Sequence, residues 1–298
     1  MTFEQLRVFV VVAERLHVTR AAEALNLTQS AVSVSIAKLE EQSDVKLFHR
    51  IGRGIELSEA GKIFLEEARQ ILARMDSARV VLQDLAREPR GRLRVYSSQT
   101  VASYWLPPRL VGLHEAFPEI DIQVTVGNTA QVAAAVGEGR ADVGLVEGEV
   151  GDSTLHQQVI GQDHLVIWVR QDHPWAGCRR VEPADYDKSR WILRERGSGT
   201  RAEFERHLAQ TGVALEDLTV SFELPSNEAI LGAIAAGGHA TALSDLALTH
   251  APSLATVRMD GGARRFSALT HPSRHRTRAM AALFEVLGCP LQNSHQPA

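Results

Sequence analysis

Four short stretches of the 298-residue chain gather side chains able to hold a small bound group. "RERGSGTR" (194–201) sets Gly197 and Gly199 around Ser198, so the backbone can approach a ligand closely. Ser198, Thr200 and Arg201 in the same stretch can donate hydrogen bonds. "YSSQT" (96–100) offers Ser98, Gln99 and Thr100, "LPSNEAIL" (224–231) offers Ser226 and Asn227, and "DVGLVEG" (142–148) ends in Glu147 and Gly148 as a further wall. Each follows a run that reads as a β-strand. In open α/β sheets, ligands sit beyond the carboxyl ends of strands, where helix N-termini favour anions. The combination points to a small anion. A G-x-G alone also serves turns, and no Lys follows in the P-loop pattern, so a phosphate-binding loop is the poorer reading.

The elements that must position these residues run from residue 92. "LRVYSS", "IDIQVTVG", "ADVGLVEG", "HLVIWVR" (164–170), "RWIL" (190–193), "LTVSFEL" (218–224) and "HATAL" (239–243) read as strands. Between them lie the helical patterns "SYWLPPRLVGLHEAF" and "TAQVAAAVGEG", with further helix starts near Gly199 and Ser226. Alternating strands and helices imply a mostly parallel, doubly wound α/β sheet. Two such units, about 91–161 with 267–298 and about 162–266, would make two lobes with a cleft between them.

The first 57 residues read differently. Phe3, Leu6, Phe9, Val10 and Ala13 form the apolar face of a first helix, and "VTRAAEAL" (18–25) forms a second with Thr19 as its cap. Asn26 can end that helix in the left-handed conformation, and Thr28 can cap the next. Two short helices joined by about three residues make a helix-turn-helix. In "LTQSAVSVSIAKLEEQ" (27–42), Ala31, Val32, Ile36 and Leu39 form the packing stripe. Gln29, Ser30, Ser33 and Ser35 fall outside it, a short polar face that can approach another surface closely. "LFHRIGRGIELSEAGK" (47–62) carries Arg50, Gly52, Arg53 and Gly54 at a β-turn, which reads as a wing.

Residues 58–88 read as one long helix. Phe64, Ala68, Ile71, Met75, Ala78, Leu82 and Leu85 alternate by four and three for about three heptads, a seam expected to pair with a second chain. An amphipathic helix lying on its own domain gives the same spacing. Pro89 and Gly91 end it, and "REPRGR" reads as a linker. The organisation expected is therefore 1–57, 58–90 and 91–298.

This order of parts resembles the LysR-type transcriptional regulators. The matching stretches are "FVVVAERLHVTRAAEALNLTQSAVSVSIAKLEEQSDVKLFHRIGRGIELSEAGKIFLEEAR", "ADVGLVEG" and "RERGSGTR", and the resemblance covers essentially the whole chain. It implies a winged helix-turn-helix that binds double-stranded DNA, dimerisation through the long helix, and usually a homotetramer on DNA. It also implies an effector-binding domain of two lobes like those of periplasmic binding proteins. Carried over by motif, Thr28, Gln29, Ser30 and Ser33 are the DNA contacts, with Gln29 placed to pair adenine in the major groove. Lys38, Arg50 and Arg53 are candidates for phosphate or minor-groove contact. The "RERGSGTR" stretch is similar to the branch with sulfur-assimilation and carbon-fixation regulators, which suggests a sulfite- or sulfate-like oxyanion or a small carboxylate as effector. Two departures stand out. Family members often carry Arg, Gln or Lys where Val34 and Ser35 follow the helix serine, and a second wing Arg where Gly54 stands.

Composition narrows the classes. Net charge is −4, and residues 1–60 hold seven Lys/Arg against eight Asp/Glu, so charge alone would not indicate DNA binding. Cys178 and Cys289 stand alone without a C-x-x-C, which disfavours a disulfide framework or a cysteine metal site. The run "VFVVVA" (8–13), hemmed by Arg7 and Glu14, is too short for a secretory leader, and no stretch approaches the roughly 20 apolar residues of a membrane span. A cytoplasmic protein is expected, without a cofactor. The twelve histidines, including His17, His49, His114, His156, His164 and His173, form no H-E-x-x-H pattern, and no G-x-S-x-G elbow occurs, so an enzyme is disfavoured. A solute-binding protein fits the two-lobed part alone. Arg264, Arg265, Arg274, Arg276 and Arg278 read as a solvated basic face.

Overall fold

The computed structural model describes residues 1–51, 54–84, 89–148, 150–151 and 154–291. The chain divides into two compact units, Met1–Gln83 and Asp84–Ala298.

In the first unit, α1 (Phe3–Arg15) opens with a capping box between Thr2 and Gln5. Leu6, Phe9, Val10 and Ala13 are buried. Phe3, expected on the same face, is 55% exposed: side chains tilt toward a helix N-terminus, so one in the first turn points past the core. α2 (Val18–Leu25) is capped by His17, whose Nδ1 accepts from the Arg20 amide at 3.4 Å, and not by Thr19. Asn26 ends it at φ 55°, and α3 (Gln29–Ser43) starts on Thr28, whose Oγ1 accepts from the Ala31 amide at 3.2 Å. Val32 and Leu39 pack inward, whereas Ala31 in the expected stripe is exposed. β1 (Phe48–Ile51) and β2 (Gly54–Leu57) form the antiparallel wing.

α4 (Glu59–Asp84) completes this core. Phe64, Leu65, Ala68, Ile71 and Leu72 pack against Phe9, Leu39 and Leu47, with the Phe9 and Phe64 rings 4.9 Å apart. The first half of the expected seam is thus turned onto its own unit, because four–three spacing suits a domain core as well as a coiled coil. Ala78, further along, is exposed. Leu82 has no described side chain, and Leu85, Gly52, Arg53 and the tail 292–298 lie outside the described residues.

Among the described residues, the second unit holds one sheet of eight strands. These are β3 (Gly91–Ser98), β4 (Ile120–Gly127), β5 (Val143–Glu147), β6 (His156–Arg170), β7 (Arg190–Arg194), β8 (Thr219–Leu224), β9 (His239–Ser244) and β10 (Leu254–Thr270). Their order is β4-β3-β5-β10-β6-β9-β7-β8. The expectation of a mostly parallel sheet holds at each end, where β3 pairs in parallel with β4 and β5, and β7 with β8 and β9. It fails at the centre. β10 runs antiparallel to both β5 and β6, and β6 antiparallel to β9. β6 and β10, of 15 and 17 residues, pass from one lobe into the other as a shared pair.

Helices cover both faces of each lobe. Leu93, Val95 and Leu145 lie under α5 (Pro107–Ala116) and α9 (Arg278–Val286), and Val146 and Leu269 under α6 (Thr129–Glu138). In the other lobe, Trp191 and Leu193 pack on α7 (Gly199–Thr211), and Trp168 and Ile192 on α8 (Asn227–Ala236). The helix expected from Ser103 starts instead as a π-turn over Val101–Trp105, directly after Thr100. Such turns are rare and concentrate at functional sites.

Candidate functional site

Two surfaces collect the residues singled out by sequence. The first is α3. Thr28, Gln29, Ser30, Ser33 and Lys38 are all exposed, and Thr28 Oγ1 lies 3.1 Å from Ser30 Oγ. Burying Val32 and Leu39 leaves Gln29, Ser33 and Val34 facing out along one side of the helix. Arg50 sits in β1 opposite Ile55, and Arg53 lies outside the described residues.

Glu40, which sequence reading passed over, fixes the wing to this helix. Its Oε1 accepts from the Leu47 and Phe48 amides at 2.8 and 3.2 Å, and its Oε2 from Lys46 Nζ at 2.7 Å. Burial pushes the Glu40 carboxyl up, but Lys46 and the two amides outweigh it and hold the group below its ordinary value.

The second surface is the cleft between the lobes. Ser98 at the end of β3 donates its hydroxyl to Glu147 Oε2, and Thr200 in the first turn of α7 donates to Glu147 Oε1 at 3.1 Å. Thr100 Oγ1 lies 3.4 Å from Thr200 Oγ1 and accepts from Asn227 Nδ2 at 3.2 Å. Ser98, Thr100, Glu147, Thr200 and Asn227 are each 1% exposed or less. Residues 49 to 127 positions apart in sequence thus meet in one buried knot. At its rim, Gln99 accepts from the Asn227 amide at 2.9 Å and donates to Glu228 at 2.6 Å. The Tyr104 hydroxyl also donates to Glu228, at 3.0 Å; burial and that carboxylate raise its pKa, so it stays protonated. At another edge of the cleft, a cavity of about 630 Å³ is lined by Thr129, Ala130, Arg196, Gly197 and Ser198 among others.

The remaining expected residues also have structural roles. Ser198 and Ser226 cap α7 and α8. Gly148, at φ 78°, leaves no room for a Cβ beside the Glu203 carboxylate. Arg201 lines the same cavity while pairing with Glu205 at 2.7 Å and Glu223 at 2.5 Å, and it donates to the Arg194 carbonyl.

Sequence reading also misplaced Arg264. It is 4% exposed, not part of a solvated face, and forks onto Asp163 through Nε at 2.6 Å and NH2 at 2.7 Å. Its NH1 donates to Thr200 Oγ1 at 3.0 Å. Burial works against the guanidinium charge, and Asp163 overcomes it, so the Arg264 pKa is raised. Arg194 is likewise buried, with NH1 2.5 Å from Asn227 Oδ1.

Residues 3–62 match the family described as "Bacterial regulatory helix-turn-helix protein, lysR family", and residues 86–289 match "LysR substrate binding domain". The chain belongs to the LysR family of transcriptional regulators. It is a regulator and not an enzyme. "HTH-type transcriptional regulator CysL" of Bacillus subtilis (strain 168) is 30% identical over 244 residues, 82% of this chain and 81% of CysL. The fold is shared with full-length CbnR, solved in complex with its target DNA, at TM-score 0.72 and 22% identity over 97% of this chain and 99% of that one. The regulatory domain of CcmR from Synechocystis PCC6803, solved in complex with 2-PG, matches at TM-score 0.61 and 26% identity over 66% of this chain and 96% of that one. Among the described residues, no helix is long and apolar enough to cross a membrane.

In this LysR-type regulator, Glu40→Gln should destabilise the DNA-binding unit by about 1.5–3 kcal/mol, the range for a hydrogen bond to a charged group. Because the folded pKa is depressed, the wild-type contribution is complete above roughly pH 5 and fades as pH falls through the carboxylate range. Unfolding of both proteins at pH 7 and pH 3 checks this: the gap between them should shrink at pH 3.

Proposed function

We propose that this regulator reads operator DNA with α3 and switches in response to a small anion held between its lobes. Thr28, Gln29, Ser30 and Ser33 make the groove contacts, and Lys38, Arg50 and Arg53 the phosphate contacts. The effector is a sulfite- or sulfate-like oxyanion or a small carboxylate. The observation carrying this reading is the buried convergence of Ser98 and Thr100 from one lobe with Thr200 and Asn227 from the other. CcmR, a relative by fold with a sequence 26% identical, binds 2-PG in the same kind of domain, which supports it. Effector changes the lobe arrangement by binding one state more tightly than the other, and only that difference can move DNA binding. Acting on DNA, the protein works in the cytoplasm. It assembles as a dimer through the part of α4 beyond its own core, and as a tetramer on DNA.

A thermal-shift screen of sulfite, sulfate, 2-PG and small carboxylates, followed by calorimetry, tests the effector reading. Thr100→Val should weaken any hit roughly ten- to a hundred-fold while footprints without ligand stay unchanged. Wild-type affinity in that variant would refute it. On DNA, Gln29→Ala should cost about 1–3 kcal/mol on the specific site and little on random DNA, whereas Arg50→Ala should weaken both alike. Equal losses for Gln29→Ala on both would remove it as a base reader. For assembly, Ala78→Glu is a fairer test than a change at Ile71, which packs on the protein's own core. Light scattering should show the Ala78→Glu protein dissociated to monomers with its fold intact.

A further inference from the structure

The protons in the cleft have few directions available. Asn227 Nδ2 and the Arg264 guanidinium have hydrogens and no acceptor capacity, so Thr100 Oγ1 accepts from Asn227 and Thr200 Oγ1 accepts from Arg264. Each threonine then has one proton left. Thr200 faces Thr100 at 3.4 Å and Glu147 at 3.1 Å, and the carboxylate, a pure acceptor when ionised, takes it. Thr100 passes its own to Thr200, and Ser98 passes its proton to Glu147 from the other side. Every hydroxyl proton in the knot therefore runs to the Glu147 carboxylate. Its two oxygens are divided between the lobes, Oε2 to Ser98 and Oε1 to Thr200.

We infer that Glu147 is the resident anion of this cleft: its carboxylate closes the lobes on itself, and an effector binds by displacing it. This inference rests on the effector reading above and adds the requirement for entry. A ligand placed beside Glu147 in the closed knot would find no free hydroxyl proton. A charged ligand with two or more acceptor oxygens can take over the Ser98, Thr100 and Thr200 donors once the carboxylate leaves. A neutral polyol cannot, because its hydroxyl oxygens accept those hydrogen bonds more weakly than the carboxylate they would replace. The backbone at this point is fixed, since Glu147 pairs with Phe266 across β5 and β10 and the Gly148 amide donates to the Arg265 carbonyl at 3.0 Å. Displacement is thus a side-chain rotation that removes the bridge between lobes and lets the ligand replace it.

Calorimetric titration of the full chain with sulfate, repeated with 2-PG, tests this on wild type, Glu147→Gln, Glu147→Ala and Thr200→Val. Removing the internal competitor should tighten anion binding at least ten-fold in both Glu147 variants, and Thr200→Val should weaken it. Glu147→Gln keeps the shape of the side chain and decides the matter if Glu147→Ala does not fold. Glu147 variants that bind no tighter than wild type, with Thr200→Val still weakened, would overturn the competitor and leave the effector reading standing. Thr200→Val binding like wild type, or no binding of either anion by any variant, would overturn both.

Discussion

A buried ion pair at the crossing between lobes organises the second unit. Arg264 and Asp163 are direct cross-strand partners on β10 and β6, with side chains 1% and 0% exposed. Removing two charges from water costs several kcal/mol per ion, so such a pair persists only with good geometry and its remaining hydrogen bonds filled. Both conditions are met. The guanidinium forks onto the carboxylate, Ser244 of β9 adds a bond to Asp163 at 2.5 Å, and the spare Arg264 nitrogen holds Thr200. One pair therefore ties three strands to the start of α7, and through Thr200 sets the direction of the hydroxyl protons in the cleft.

The packing around this crossing keeps it firm while allowing the lobes separate cores. Trp105 lies against Gly161 of β6, where a Cβ would come within 3.0 Å of its ring, and beside Phe266 of β10 at 5.6 Å. The Arg109 guanidinium stacks 3.7 Å over the indole ring. A small residue is needed at Gly161 for this approach, which is why a strand otherwise rich in larger side chains carries glycine at the crossing.

Much of this was legible in the sequence, and the illegible parts share a cause. Thr28, Asn26 and the polar face of α3 were readable because caps and helical periodicity act within four residues. The strand ends that contribute Ser98, Thr100, Glu147, Thr200 and Asn227 were readable because each short strand alternates or is continuously apolar. Their mutual bonds were not, since they join residues far apart in sequence. Asp163 is hidden because the continuous apolar run begins only after His164, and the preceding "HQQVIGQD" has just Val159 and Ile160 as apolar residues, with no alternation. Arg264 sat in "GGARRFS", which looks like solvated charge until its partner 101 positions away is known. Glu40 was hidden for a related reason: two of its three partners are backbone amides, which no side-chain pattern reveals. The helix seam misled differently, because its spacing is the same whether the stripe covers its own domain or a second chain.

All four tryptophans, Trp105, Trp168, Trp175 and Trp191, lie in the second unit, so their fluorescence during urea unfolding reports on that unit alone. A double-mutant cycle read this way on Arg264→Met and Asp163→Leu tests the organising pair directly. Each single change should cost about 3–5 kcal/mol by leaving a buried charge unpaired, and the double change should cost clearly less than the sum. Small single effects, or losses that simply add, would contradict the account.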